Sequence, residues 1–361
     1  MAYTSINNGK DYFGSITWTA DDTSPRTFTG FTCQPDILLG RHRDSGSVNY
    51  NMVDSSRGGN KNMTTDTTAA EDSGSHGIIS SFNSDGITVT NGTNATYPRL
   101  YYNELDPFGA GGGNYVYHYW NVNNGTTVSN TDGDVTSTVQ VNQTAGISIV
   151  TWQETTANSL NIGHGLGAVP ELIIVKNRDS VIGWYTYQKA VGNGYRMALE
   201  DSTGLQSTSF WNNSDPTTTT FHVGFGDSYD NDNIVAYCFA PKKGFSKFGK
   251  FTATSSTDGP FVYTGFKPAF VLVKGQTGTN WLPIDNARDP INPRNKWLRL
   301  NTAAAEFSPT NKGTGWDFLS NGFKVRNWNQ DFNDTGSDPY YYWAFAENPF
   351  VSSTGTPVTA V

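Results

Sequence analysis

Long helices need Ala, Leu, Glu and Lys in quantity, and this 361-residue chain is poor in them. Only 16% of its residues are charged, below the roughly 25% of ordinary globular proteins. Cysteine is nearly absent. The two present, Cys33 and Cys238, are too few for a disulfide scaffold. Each lies in or beside an apolar run, so both are expected to be reduced core thiols. No run approaches the length of a transmembrane helix. The first ten residues lack the basic start and apolar core of a signal peptide, which leads to the expectation of a soluble protein made in a bacterial-type cytosol. A basic excess is also missing. The net charge of −8 offers no footing for nucleic acid or an anionic membrane. The glycine-rich run 109–113 is not followed by Gly-Lys-Ser/Thr, so it reads as a loop and not a phosphate cradle.

What is present is strand-and-turn chemistry. Thr, Val, Tyr, Phe and Trp alternate with Asn, Asp, Gly and Ser, and there are 38 glycines. One stretch is written three times. It reads Gly30-Phe31-Thr32-Cys33-Gln34-Pro35-Asp36-Ile37-Leu38-Leu39-Gly40-Arg41, then Gly165 through Pro170 to Lys176, then Gly265 through Pro268 to Lys274. Pro fixes φ and lacks an N–H, which suits the first residue of a strand. The short apolar run behind it reads as a strand buried on both faces, closed by a basic residue.

Three further landmarks recur around that stretch. Upstream lie Ile16-Thr17-Trp18-Thr19, Ile149-Val150-Thr151-Trp152 and Gly249-Lys250-Phe251-Thr252. Downstream come Gly86–Val89, Thr220–Val223 and Gly322–Val325, and then the aromatic stretches Tyr115–Trp120, Ile234–Ala240 and Tyr340–Ala346. Four landmarks in one order point to internal repetition. The reading is an N-terminal arm over 1–10 and units over 11–145, 146–246 and 247–361, each large enough for its own small core. The first unit carries an extension, and 122–144 reads as a linker with one edge strand. Trp184–Tyr187, Tyr195–Leu199 and Trp297–Leu300 alternate with period two, as half-buried strands do. The expected fold is all-β: three repeated antiparallel β-sandwich or jelly-roll-like units with little helix beyond a turn near Ala303–Glu306.

The histidines show no metal spacing such as His-Glu-x-x-His, and structural roles are expected for them. A Ser-His-Asp triad is defined in space and not in sequence, but no Gly-x-Ser-x-Gly elbow occurs. Two loops alternate Asp and Asn, 227–233 and 331–338. Such oxygens suit a hard cation, so Asp227, Asp230 and Asp232 are candidate Ca²⁺ ligands. The competing reading is a plain turn, since Asp and Asn are the best turn formers. No cofactor is otherwise expected. Trp211, Trp281, Trp316 and Trp328 lie outside the repeated strands and near turn residues, making them the candidate exposed rings for stacking on glycans, with core packing the competing reading for each. Many aspartates are available for glycoside hydrolysis, but no spacing singles out a pair.

Several phrases carry a resemblance: Gly163 to Arg178, Phe318 to Val325, Tyr342 to Phe350 and Val141 to Thr151. They resemble the repeat modules of virion structural proteins from marine tailed bacteriophages, such as those infecting cyanobacteria, described as tail-fibre-like or capsid-decorating. The resemblance implies a non-enzymatic protein on the particle exterior, tail or capsid, assembled in the host cytoplasm. It offers no catalytic residue. Its implied partners are other virion proteins, a symmetric homo-oligomer, a trimer in particular, and host surface glycans, without nucleic acid or membrane insertion. The extension Phe108 to Asn114 is the expected assembly surface. The rival reading is a virion-associated polysaccharide-degrading enzyme, a glycoside hydrolase or depolymerase.

Overall fold

The computed structural model describes residues 4–157, 159–225, 229–308, 315–326, 331–334 and 338–357. Strands dominate it, and every strand pair is antiparallel. The helical elements among the described residues are three single 3-10 turns, Gly9–Asp11, Pro107–Gly109 and Asn123–Gly125. The turn expected near Ala303–Glu306 is irregular chain instead, its carbonyl at Ala303 taken by Arg41. Trp297–Leu300 is not a strand either. It makes one bridge, Trp297 to Phe307, and buries Trp297, Leu298 and Leu300.

Three large sheets share one strand order. In the first, the opening strand Phe13–Thr19 pairs with the closing strand Asn114–Trp120. That strand pairs with the run strand Ile37–His42, and then come the return strand Asn51–Asp54 and Met63–Thr64. The second has Ile147–Gln153, Asn233–Phe239, Leu172–Asn177 and Tyr185–Gln188 in the same four places, and the third has Ser246–Thr252, Pro339–Pro349, Phe266–Gly275 and Leu282–Asp285. The register is shared too: Ile37 lies opposite Trp120, Leu172 opposite Phe239, and Phe270 opposite Phe345.

Each run strand is apolar without alternation because both its faces are covered. On one face Ile37, Leu172 and Phe270 enter a common core. On the other, Leu38 and Ile173 pack under small sheets. These are Arg26–Thr29 with Gly86–Thr90 and Ile78–Asn83, Leu160–Gly163 with Thr220–Val223, and Phe261–Tyr263 with Gly322–Val325 and Trp316–Leu319. Each large sheet and its small sheet therefore form a sandwich.

The first two sandwiches each keep a core of their own around Leu38 and Ile173, and the three large sheets share a further, common one. Trp120, Phe239 and Phe345, one from each closing strand, meet at its centre with ring centroids 6.3, 5.4 and 5.7 Å apart. The segment 122–144 is also more than a linker. Thr127–Asn130 and Ser137–Asn142 are two strands that extend the second sheet beyond its opening strand.

The seams between sheets repeat a polar device. Arg41, Lys176 and Lys274 stand at the same place in their run strands, and all three are buried. Each donates to backbone carbonyls of its own sheet's loop and of the neighbouring sheet's loop. Arg41 reaches Ser45 (2.7 Å) and Thr302 (2.8 Å), Lys176 reaches Ile182 (2.6 Å) and Thr68 (3.1 Å), and Lys274 reaches Thr279 (2.6 Å) and Asp201 (3.1 Å). Burial drives the pKa of both lysines down to about 8. A buried ammonium is tolerated when its donors are satisfied, as here. A second contact runs the same way round. The Tyr237 hydroxyl donates to Asp54 (2.7 Å), the Trp343 indole N–H to Gln188 (3.1 Å), and His118 lies in the field of Asp285.

Candidate functional site

The candidate exposed tryptophans are mostly inside, which corrects that reading in favour of core packing. Trp211 is 2% exposed, and Trp281 and Trp316 are 0% exposed. Two of the indole N–H groups find backbone partners. Trp211 donates to the Tyr195 carbonyl (3.1 Å) and Trp281 to that of Ala198 (2.8 Å), while Trp316 packs among Phe251, Phe323 and Phe332. Neighbouring turn residues do not keep a large ring in water when a sheet seam can bury it. Trp328 lies outside the described residues.

The acidic loops are occupied with holding the chain. Asp232 accepts from the Asn177 amide (2.8 Å) and the Ser180 hydroxyl (2.6 Å). Asp331 accepts from Asn280 (3.0 Å) and Arg299 (3.1 Å). Asp227 lies outside the described residues, and Asp230 is half-buried. Among the described residues no group of three His, Cys, Asp or Glu is placed to hold a metal ion. Cys33 and Cys238 are both free thiols; burial pushes Cys33 up to about 12 and raises Cys238 as well.

Two serine–histidine pairs come together that the linear sequence does not announce. The Ser15 hydroxyl is hydrogen-bonded to His118 Nδ1 at 2.8 Å. His118 is fully buried, and burial lowers its pKa to about 4. Such an imidazole is a weak general base near neutral pH, where an effective one titrates near the working pH. The second pair is Ser159 with His222 Nε2, whose Nδ1 is bonded to Asn161 (3.1 Å) across the strand pair. It lies on an exposed outward face.

The outward faces of the three small sheets differ most. Directly opposed outward residues are Thr27 and Thr88 in the first, Asn161 and His222 in the second, and Phe261 and Lys324 in the third. Residues two apart share a strand face, so Tyr263 joins Phe261. The two rings are 45% and 50% exposed. Opposite Tyr263 stands Gly322, where a Cβ would come within 3.0 Å of the Phe261 ring and closer still to the Val262 carbonyl. The glycine thus leaves room for the Phe261 ring edge over the neighbouring strand. Lys247 flanks the patch, its Nζ 5.4 Å from the Tyr263 ring centre and donating to the Tyr263 carbonyl (2.7 Å). Lys324 is tied to Asp258 at 2.6 Å. Two exposed rings on one strand face beside Lys247 and Lys324 can stack on the apolar face of a sugar and hydrogen-bond its rim.

Sequence reasoning missed Phe261 and Tyr263. The alternation in Phe261-Val262-Tyr263 puts both rings on one strand face, at a place where the other two small sheets carry Thr27 and Asn161, but alternation does not say which face meets water. A second exposed aromatic site is the extension, where Phe108 is 50% exposed and lies 4.5 Å from the Tyr97 ring.

Over residues 8–349 the chain matches the family described as a domain of unknown function (DUF7483), and it belongs to that family. No curated protein matches it, and neither does any solved structure.

Proposed function

We propose that this chain is a non-enzymatic bacteriophage virion protein on the outside of the particle, a tail fibre or appendage or a head decoration. In this reading it binds through the outward faces of its small sheets, and host surface glycan is the ligand of Phe261 and Tyr263. The carrying observation is the contrast between inside and outside. Three sandwiches with one strand order and one register lock onto a shared core, while the outward pairs have become Thr with Thr, Asn with His, and Phe with Lys. A rigid scaffold with divergent faces suits display, because binding groups on sheets are better held than those on loops. Other virion proteins are the partners in this reading, with Phe108 and its extension as an attachment surface. Self-association into a symmetric oligomer belongs to the same reading.

Two measurements test it. Cryo-electron microscopy of purified particles is expected to find the protein on the capsid or the tail, and its absence from particles overturns the virion assignment. On a glycan array the chain is expected to bind, and Phe261→Ser with Tyr263→Ser to abolish binding without lowering the melting temperature. Undiminished binding by that variant removes the aromatic patch from the reading. Shortened polysaccharide after incubation with the protein would replace binding by hydrolysis.

A further inference from the structure

The opening strands Phe13–Thr19 and Ile147–Gln153 occupy the same place in their sheets, with Phe13 corresponding to Ile147. In the first sheet the Asn121 N–H donates to the Tyr12 carbonyl (3.0 Å) and the Ala20 N–H to that of Gly113 (2.7 Å). Ladder bonds therefore fall on the even-numbered residues, and the peptide groups of Phe13, Ser15 and Thr17 point away from the sheet. Their counterparts in the second sheet are Ile147, Ile149 and Thr151. These are paired by Ser137–Asn142, with Asn142, Gln140 and Thr138 opposite them.

Contacts beyond the ladder also hold that added strand. Gln140 donates to the Ser55 hydroxyl (2.9 Å) and the Val122 carbonyl (2.5 Å). Val139 and Val141 cover Gly165, where a Cβ would stand 3.2 Å from Val139. Gln143 donates to the Gly165 carbonyl (2.9 Å).

Beside Phe13–Thr19 no strand of the described chain takes that place. A cleft of about 230 Å³ lies there, lined by Phe13, Ser15, Gly30, Asn286 and Glu347 among others. Three of these are the counterparts of the residues that hold the added strand. Gly30 precedes its run strand as Gly165 does, Asn286 follows Asp285 as Ser55 follows Asp54, and Glu347 follows Phe345 as Val122 follows Trp120.

We propose that this cleft is a strand-acceptor site, taking an extended segment of a second protein antiparallel to Phe13–Thr19. The chain's own strand states the chemistry of the guest. It is an uncharged segment with β-branched residues over Gly30 and an amide side chain opposite Ser15, within reach of Asn286. Main-chain bonds to Phe13, Ser15 and Thr17 supply affinity, and the alternating side chains supply register. Ala269, Asn286 and Ala287 of the third sheet wall the other side. The inference rests on sheet geometry and not on placement in a virion, so the two fail separately.

The test uses the full chain and a synthetic peptide of residues 135–144, the sequence that fills the equivalent seam. Hydrogen exchange is expected to slow about tenfold or more at Phe13, Ser15 and Thr17 when peptide is added. Thr17→Pro removes an outward N–H that the ladder does not use, and is expected to abolish the protection with the melting temperature unchanged. Asn286→Trp, which fills the cleft, is expected to do the same should the proline variant misfold. Unchanged exchange at saturating peptide overturns the proposal. So does protection that survives both substitutions or appears at Thr127–Asn130 instead. Concentration-dependent protection without peptide would make a second copy of this chain the guest and overturn the assignment to another protein.

Discussion

Phe345→Ala is the substitution that most directly asks whether three sandwiches act as one folding unit. The Phe345 ring lies 5.2 Å from Phe13 and 5.4 Å from Trp120 of the first sheet, 5.7 Å from Phe239 of the second, and 5.8 Å from Phe248 of its own. It is 1% exposed. Truncating a buried Phe to Ala costs about 3–5 kcal/mol, and more where the surroundings cannot collapse. Those surroundings are strands of three different sheets, fixed by their ladders, and the cavity already present beside the ring is only about 20 Å³. Lost aromatic pairs add about 0.5–1.5 kcal/mol each, although they are not additive. The expected loss is therefore at the upper end, about 5 kcal/mol. The assay is urea unfolding followed by tryptophan fluorescence, with hydrogen exchange read separately in Ile37–His42, Leu172–Asn177 and Phe266–Gly275. One core predicts a single transition in which all three strands lose protection together. If only Phe266–Gly275 loses protection, the common core is not a cooperative unit and the reasoning fails.

Other predictions follow from the seams. Arg57 is buried and donates to Asp54 (2.6 Å), Glu71 (2.6 Å) and the Tyr237 hydroxyl (3.1 Å). Burial works against its charge, but Asp54, Tyr237 and Glu71 outweigh that and raise its pKa. Arg57→Met strands a buried carboxylate and is expected to cost about 3–5 kcal/mol in chemical denaturation; a loss under 1 kcal/mol, the scale of an exposed pair, contradicts the burial argument. Asp66 is the opposite case. Burial raises its pKa from 3.8 to about 6, with Arg41 and backbone amides offsetting only part of the effect. A carboxyl with a raised folded-state pKa favours folding below the unfolded value, and that contribution is lost as pH rises through about 6. Asp66→Asn should thus stabilise the fold at pH 7 by about 2–3 kcal/mol and by only about 0.5 kcal/mol near pH 4. Melting curves at both pH values check this, and an equal gain at each counts against burial as the cause.

Much of the strand pattern was legible in the chain. Pro35 and Pro170 stand two residues before their run strands, whereas Pro268 lies inside Phe266–Gly275 at a break in its register with the closing strand, and the basic residues after all three mark the same seam position. These signals are local: a proline's missing N–H, a period of two, and a glycine turn act over a few residues whatever surrounds them. The burial of Trp211, Trp281 and Trp316 was not legible. Each lies near turn residues, and its burial depends on a second sheet arriving from far along the chain. Nor was the exposure of Phe261 and Tyr263, because alternation says that two rings share a face but not which face meets water.

The amino-acid sequence by itself determined that this protein is made of short antiparallel strands in a recurring order, since composition and spacing leave no other regular structure for it. Only the tertiary structure decided that Trp120, Phe239 and Phe345 meet in one core, that Ser137–Asn142 joins the second sheet, and that among the described residues no strand pairs with the outer edge of Phe13–Thr19. Those outcomes depend on which distant surface each strand finds, and hydrophobic burial is non-directional. It drives apolar faces together without naming the partner, which the packing of the whole chain selects.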